Sequence, residues 1–305
     1  MSNNSYICDV AQLGEAYITN DDNRIRNMIL SEKVACTFYL DENNERYGYY
    51  IHLNEPLTKV YGFDVFMVDF VFSKMSLLHG EQQENSLKKL LNELSHFIAS
   101  HRGYYNFRVP THFVDLIRAF NEIINNSIFC GGLVTYIYKE NKQIDISNIK
   151  AKIFVPNDEY ILNHKNDLIS IAKSAFGKYQ GQYHISAVTS DKASNIYTDW
   201  IAKSFETNSN KQKLIVAECD SRLAGFWTYE EDNIGQYTGL TGVSSEYRRY
   251  GAYNGMIETA LNIASSQKKF MTIGTQFDNY VVQRVWGKLG LIPFLSYYNF
   301  HVDRR

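Results

Sequence analysis

The chain has 305 residues, 45% of them hydrophobic and 21% charged, with a formal net charge of −2. That length suits one large or two ordinary domains, and the balance is that of a globular protein. A charge this close to zero leaves no basic footprint for nucleic acid, and no apolar run reaches the length of a membrane span. Four cysteines, Cys8, Cys36, Cys130 and Cys219, lack metal or redox spacing, so reduced thiols and no metal site are expected. Residues 1–5 carry neither the basic nor the apolar region of a signal peptide, which predicts a cytoplasmic protein. The 23 tyrosines and 18 phenylalanines suit strand and core packing, and they also suit sugar recognition.

In the first half, Leu87, Leu90, Leu91 and Leu94 recur at helical spacing. Tyr105 to Val109 reads as a strand, and Phe113, Leu116, Ile117, Phe120 and Ile124 form a second helical stripe. A β-rich run, Gly132 to Lys139, closes this half, and the polar stretch Lys139-Glu140-Asn141-Lys142-Gln143 marks a boundary.

Beyond it, Ile149 to Val155 reads as a strand ended by Pro156, and Asp167 to Phe176 as a helix. Gly177 to His184 is expected to be a loop, and Ile196 to Phe205 a helix carrying Trp200. Leu214 to Cys219, Leu223 to Tyr229 and Ile234 to Val243 follow as strands. Then comes Arg248-Arg249-Tyr250-Gly251-Ala252-Tyr253, opening a helix whose Ile257, Ala260, Leu261 and Ala264 share one face. Phe270 to Thr275 is a strand, Asn279 precedes a helix with Val282, Val285, Trp286 and Leu289 on one face, and a tyrosine-rich strand ends the chain. Strand, basic glycine turn and helix together make an anion cradle, in which backbone N–H groups and a positive dipole end face a phosphate. The two arginines add charge-assisted bonds to it.

Arg248 to Tyr253 resembles the acetyl-CoA pyrophosphate loop of the GNAT superfamily, [Arg/Gln]-x-x-Gly-x-[Gly/Ala], and Thr275 to Leu291 resembles its Asn-containing second motif. That stretch, with Ser296-Tyr297-Tyr298-Asn299-Phe300-His301, is similar to a narrower branch, the nucleotide amino-sugar acetyltransferases typified by dTDP-fucosamine acetyltransferase. The resemblance covers roughly Ile149 to Val302. It implies an α/β (α+β) fold: a GNAT-type mixed sheet flanked by helices, with residues 146–305 as catalytic domain. Residues 1–145 repeat the order of elements and are expected to be a degenerate GNAT-like lobe. Sliding Ala99-Ser100 onto Ala264-Ser265 lays Gln83-Glu84-Asn85-Ser86-Leu87-Lys88 against the glycine loop, with no glycine and no arginine. By the same overlay Val114 falls opposite Asn279 and Asn121 opposite Trp286.

The resemblance further implies acetyl-CoA as co-substrate. Its binding residues would be Leu240, Thr241, Gly242 and Val243 on the strand, Arg248, Arg249, Tyr250, Gly251, Ala252 and Tyr253 in the loop, and Asn279. The acceptor would be a small amine such as a nucleotide sugar, approached by Tyr183 and His184, with His184 also a candidate base. Two departures stand out. Tyr253 occupies a position usually held by Gly or Ala. Trp286 replaces a tyrosine that protonates the leaving thiolate, a role indole cannot fill, so either Tyr298 or Tyr297 becomes the candidate acid or the thiolate leaves unassisted. Glu218 is a further candidate base, and a homodimer through a sheet edge is compatible with this fold. Another amine acceptor, or a non-catalytic coenzyme A or sugar-binding module, are the competing readings.

Overall fold

The computed structural model describes residues 34–40, 46–72, 81–140, 143–144, 149–177, 181–186, 188–203 and 212–305. Residues 1–5, Cys8, residues 178–180 of the expected loop, residues 204–205 of the expected helix and the 145/146 boundary lie outside them. So do Asn141 and Lys142 of the polar stretch.

The first strands and helices are β1 Val34–Leu40, β2 Arg46–Leu53, α1 Glu55–Tyr61, β3 Val65–Phe72, α2 Glu81–Ser100, β4 Tyr104–Pro110, α3 Val114–Ile123 and β5 Ser127–Tyr138. Then come β6 Lys152–Phe154, α4 Asp158–Asn163, α5 Lys165–Phe176, α6 Gln182–Ile185 and α7 Ala193–Lys203. Last are β7 Gln212–Cys219, β8 Arg222–Glu231, β9 Gly235–Val243, α8 Ala252–Ser266, β10 Phe270–Gln276, α9 Tyr280–Lys288 and β11 Ile292–Asp303. Among the described residues no helix is long and apolar enough to cross a membrane.

Two compact units result. One takes the described residues from Val34 to Leu133 together with Leu295–Arg305, and the other those within Val134–Phe294. Within the first, β1, β2 and β3 form an antiparallel meander, and β3 pairs with β4 in parallel from Val65↔Tyr104 to Asp69↔Arg108. The connection is α2, whose Leu87, Leu90, Leu91 and Leu94 are all fully buried, as their spacing requires. On the other edge of β4 lies β11, antiparallel from Tyr297↔Pro110 to Asp303↔Tyr104. The chain's last strand therefore completes the sheet built from its first half. Chain order alone suggests that β5 closes the first half and β11 the second. The structure instead puts Val134–Tyr138 of β5 in the second unit, where β5 neighbours β10.

In the second unit β6, β7, β8 and β9 are antiparallel, and β9 and β10 are parallel. The crossover helix α8 buries Met256, Ile257, Ala260, Leu261 and Ala264 against this sheet, where they meet Trp227, Tyr229, Met271 and Trp286. Helix α5 covers the opposite face beside α7. The expected strand from Ile149 is shorter than its apolar run, because only Lys152–Phe154 pairs with β7, while Ile149 instead packs on Gly251 and Gly255. Helix α4 was not anticipated; the Asn157 side chain caps it by accepting from the Tyr160 amide at 2.8 Å. Both units thus share one plan: meander, helix crossover to a parallel strand, then a second helix.

Candidate functional site

The two parallel pairs differ in a way that makes the site. In the first unit β3 and β4 stay paired over five registers, Val65 to Asp69. In the second, β9 and β10 pair only at Gly235, Gln236 and Tyr237, opposite Phe270, Met271 and Thr272. From Thr238 onward the two strands diverge, which leaves the β10-facing backbone of β9 without a ladder partner.

A bulge in β9 assists the divergence. Trp227 pairs with Thr241 and Tyr229 with Thr238, so Gly239 and Leu240 together oppose Thr228. The Thr228 hydroxyl stands in for the missing ladder bond. It accepts from the Leu240 amide at 2.7 Å and donates to the Leu240 carbonyl at 3.2 Å. At Gly239 a Cβ would lie 2.6 Å from that same hydroxyl, so no larger residue fits.

Past Val243 the chain makes one 3-10 turn, Ser245–Tyr247, then enters the basic loop. Arg249 takes φ 75° and Gly251 φ 82°, both left-handed. This double reversal turns the chain into α8, whose first amides, on Ala252, Tyr253 and Asn254, precede the first helical bond, Gly255 N–H to Gly251 C=O. A Cβ on Gly251 would come within 2.9 Å of Ile149, and one on Gly255 within 2.5 Å of the same side chain. The glycines therefore let the helix start close-packed on Ile149, with its amides aimed outward.

A cavity of about 660 Å³ opens between these pieces. Thr241, Gly242 and Val243 of the diverging strand line one side, and Arg248, Arg249, Gly251, Ala252 and Tyr253 another. Asn279, Val281 and Val282 of α9 face them, and Ala175 and Phe176 close the end of α5. Two guanidiniums line the cavity and no described carboxylate does, so its field suits an anion. Asn279 is oriented by its amide nitrogen, which donates to Thr275 Oγ1 at 2.9 Å. Free helix-terminal amides, a dipole end and two arginines fit a pyrophosphate, and the exposed backbone of β9 fits the amides of a pantetheine arm. Among the described residues no group of three or more His, Cys, Asp or Glu is placed to hold a metal.

Not every expected residue lines this cavity. Leu240 sits in the bulge, buried, its backbone engaged by Thr228. Tyr250 turns outward, with its ring against Tyr247 and under the Lys150 ammonium. Tyr183 is buried edge-on to Tyr197, which in turn stacks on the cavity-lining Phe176 with centroids 4.4 Å apart. His184 is in short helix α6, with Nδ1 buried and unpaired, and burial holds its pKa below the usual imidazole range. Tyr298 belongs to the first unit, where its ring meets Phe129. Glu218 accepts from the Tyr160 phenol at 2.7 Å and faces Lys152 at 3.6 Å. Tyr247, Phe176 and Val281 line the cavity without having been singled out. Phe176 falls on the apolar face of its helix, and the sequence offers no other sign of it.

Tyr253 belongs to the cavity's lining, but its hydroxyl turns into the core, where it accepts from the Trp286 indole N–H at 2.8 Å and burial pushes its pKa up. Trp286 is 2% exposed and packs edge-on to Tyr136, whose hydroxyl bonds Gln283.

No protein-family model matches the chain, and no curated protein matches its sequence. Its structure is similar to that of a GCN5-related N-acetyltransferase from Sphaerobacter thermophilus, at 10% identity over 87% of this chain and 79% of that one, with a TM-score of 0.55. A GCN5-related N-acetyltransferase from Kribbella flavida matches over 95% and 96% at 11% identity, TM-score 0.53. An acetyltransferase of the GNAT family from Colwellia psychrerythraea matches over 87% and 84% at 12% identity, TM-score 0.50. The fold is therefore of GNAT type, a mixed sheet flanked by helices, as the loop motif implied.

Proposed function

We propose that the chain is an acetyl-CoA-dependent N-acetyltransferase whose acceptor is the amino group of a nucleotide-linked amino-deoxy sugar, serving surface polysaccharide synthesis. One observation carries the reading: β9 leaves its parallel partner after Tyr237 and runs straight into the Arg248–Gly251 cradle on the wall of the same cavity. Arg248, Arg249 and the α8 amides would hold the diphosphate. The backbone of Thr241 to Val243 would align the pantetheine and polarise the thioester carbonyl. Asn279, fixed by Thr275, would place an amide oxygen opposite.

A sugar amine is less basic than lysine, whose pKa is roughly 10.4, so little base strength is needed. Alignment of amine and thioester supplies effective molarities on the order of 10⁵ M. His184, half-buried and with its pKa lowered by burial, would take the amine's proton, directly or through water. Phe176 on the cavity wall, backed by Tyr197, favours a sugar, since ring faces pack on C–H groups.

Calorimetry with acetyl-CoA tests this, comparing the parent with an Arg249→Glu, Gly251→Asp double variant. Binding that the variant abolishes supports the cradle. Turnover is then screened on dTDP- and UDP-linked amino sugars against polyamines. Turnover on polyamines alone would refute the sugar acceptor, and no binding by a folded parent would refute the acyltransferase reading.

A further inference from the structure

We propose that Lys150 binds the 3′-phosphate of coenzyme A and so makes the protein select coenzyme A over its 3′-dephospho form; the assignment rests on the acetyltransferase reading. Coenzyme A carries two separate anionic groups. One is the diphosphate, and the other is a phosphate monoester on the adenosine ribose, with about −1.5 to −2 charges at pH 7. With the diphosphate on the Arg248–Gly251 loop and the pantetheine running inward along Thr241 to Val243, the adenosine end is left outside the loop. Its phosphate needs a cation on the loop's outer side. Neither arginine is free for that, since both line the cavity.

Lys150 stands on the outer side. Ile149 packs so closely on the loop that a Cβ on Gly251 would lie 3.5 Å from the Ile149 Cα. The next Cα along the chain is only about 3.8 Å further on, so the Lys150 side chain starts beside the loop. Its ammonium lies 5.8 Å from the centroid of the Tyr250 ring, which is 37% exposed. Tyr250 is braced in turn, edge-on, by the buried Tyr247 ring at 5.9 Å. A cation–π contact of this kind holds an ammonium in place without neutralising it.

The charge is also unpaired. Among the described residues no carboxylate forms an ion pair with Lys150, Glu246 of the adjoining turn included. Lys152, two positions on, is different, since its ammonium faces Glu218 at 3.6 Å. One ribose separates the two anionic groups of coenzyme A, a span that an extended lysine covers. Tyr250, which belongs to the loop but not to the cavity wall, thereby gains a part: its ring face keeps the ammonium beside the diphosphate site.

The test needs no acceptor. Calorimetry gives Kd for coenzyme A and for 3′-dephospho-coenzyme A on the parent, Lys150→Met, Lys150→Glu and Lys152→Met. The parent prefers coenzyme A by roughly five- to tenfold, as one charge-assisted contact at a solvent-facing site allows. Lys150→Met removes the preference by weakening coenzyme A, and leaves the dephospho form within about twofold of its parent Kd. Lys150→Glu inverts the preference through like-charge repulsion, and Lys152→Met keeps it. A preference that survives Lys150→Met, an equal weakening of both ligands by that variant, or a parent that binds both ligands alike overturns this assignment and leaves the cradle standing. Failure of the folded parent to bind either ligand overturns it together with the reading beneath it.

Discussion

Gly251→Ala isolates what fixes the cradle. At φ 82° an L-residue costs about 1–2 kcal/mol relative to its preferred backbone. Its new Cβ would also stand 2.9 Å from Ile149 Cγ2, 3.1 Å from its Cβ and 3.5 Å from its Cα. Those inner atoms cannot swing aside, so the start of α8 must shift, an overpacking cost of roughly 1–3 kcal/mol. The smaller entropy of the unfolded alanine chain returns about 0.4–1 kcal/mol. Mid-range values sum to a net loss of about 2–3 kcal/mol. All three tryptophans, Trp200, Trp227 and Trp286, belong to the second unit, so tryptophan fluorescence in urea follows that unit. In an Ile149→Gly background only the ordinary 3.5 Å contact with Cα is left, and Gly251→Ala should cost only about 1 kcal/mol. Gly287, with nothing within 4 Å of its virtual Cβ, is the control: Gly287→Ala should stabilise α9 by about 0.5–1 kcal/mol. A Gly251→Ala cost below about 0.5 kcal/mol, or one equal in both backgrounds, would refute the argument.

Arg249→Gly relieves a left-handed arginine but loosens the unfolded chain, so stability should stay within about 0.5 kcal/mol while acetyl-CoA Kd rises roughly tenfold or more; a change below about twofold by calorimetry would place the guanidinium outside the phosphate site. Thr228→Val removes the hydroxyl serving both backbone groups of Leu240 and should cost about 1–3 kcal/mol by tryptophan fluorescence. Burial lowers His301 from 6.5 to about 3, so the unfolded chain binds its proton first and stability falls as pH drops below 6.5 toward 3. Between pH 7 and pH 5 this amounts to about 2 kcal/mol. Urea unfolding followed by circular dichroism should show a larger loss over that interval in the parent than in His301→Asn, and equal losses would contradict the assignment.

The periodic elements were legible because their apolar residues obey local spacing. The leucines of α2 and the Ile257, Ala260, Leu261, Ala264 face of α8 are fully buried. The left-handed turn into α8 was legible too, since Arg248 to Ala252 are consecutive backbone positions. The divergence of β9 was not, because its bulge is set by Thr228, a residue on the neighbouring strand with no distinguishing spacing. Nor was the environment of Tyr253, which depends on Trp286, 33 positions away. The edge that β11 joins is likewise silent in the sequence, since either sheet offers its alternating pattern a partner.

That last strand sets a timetable for synthesis. Tyr104 on β4 and His301 on β11 share a buried 2.9 Å hydrogen bond across 197 residues. While the ribosome works through the intervening segment, β4 carries a bare edge of unpaired amides and carbonyls, the kind of surface on which nascent chains pair wrongly with one another. The half of the protein made first is thus among the last to finish folding. A nonsense mutation just before Leu295 would injure the beginning of the chain rather than its end.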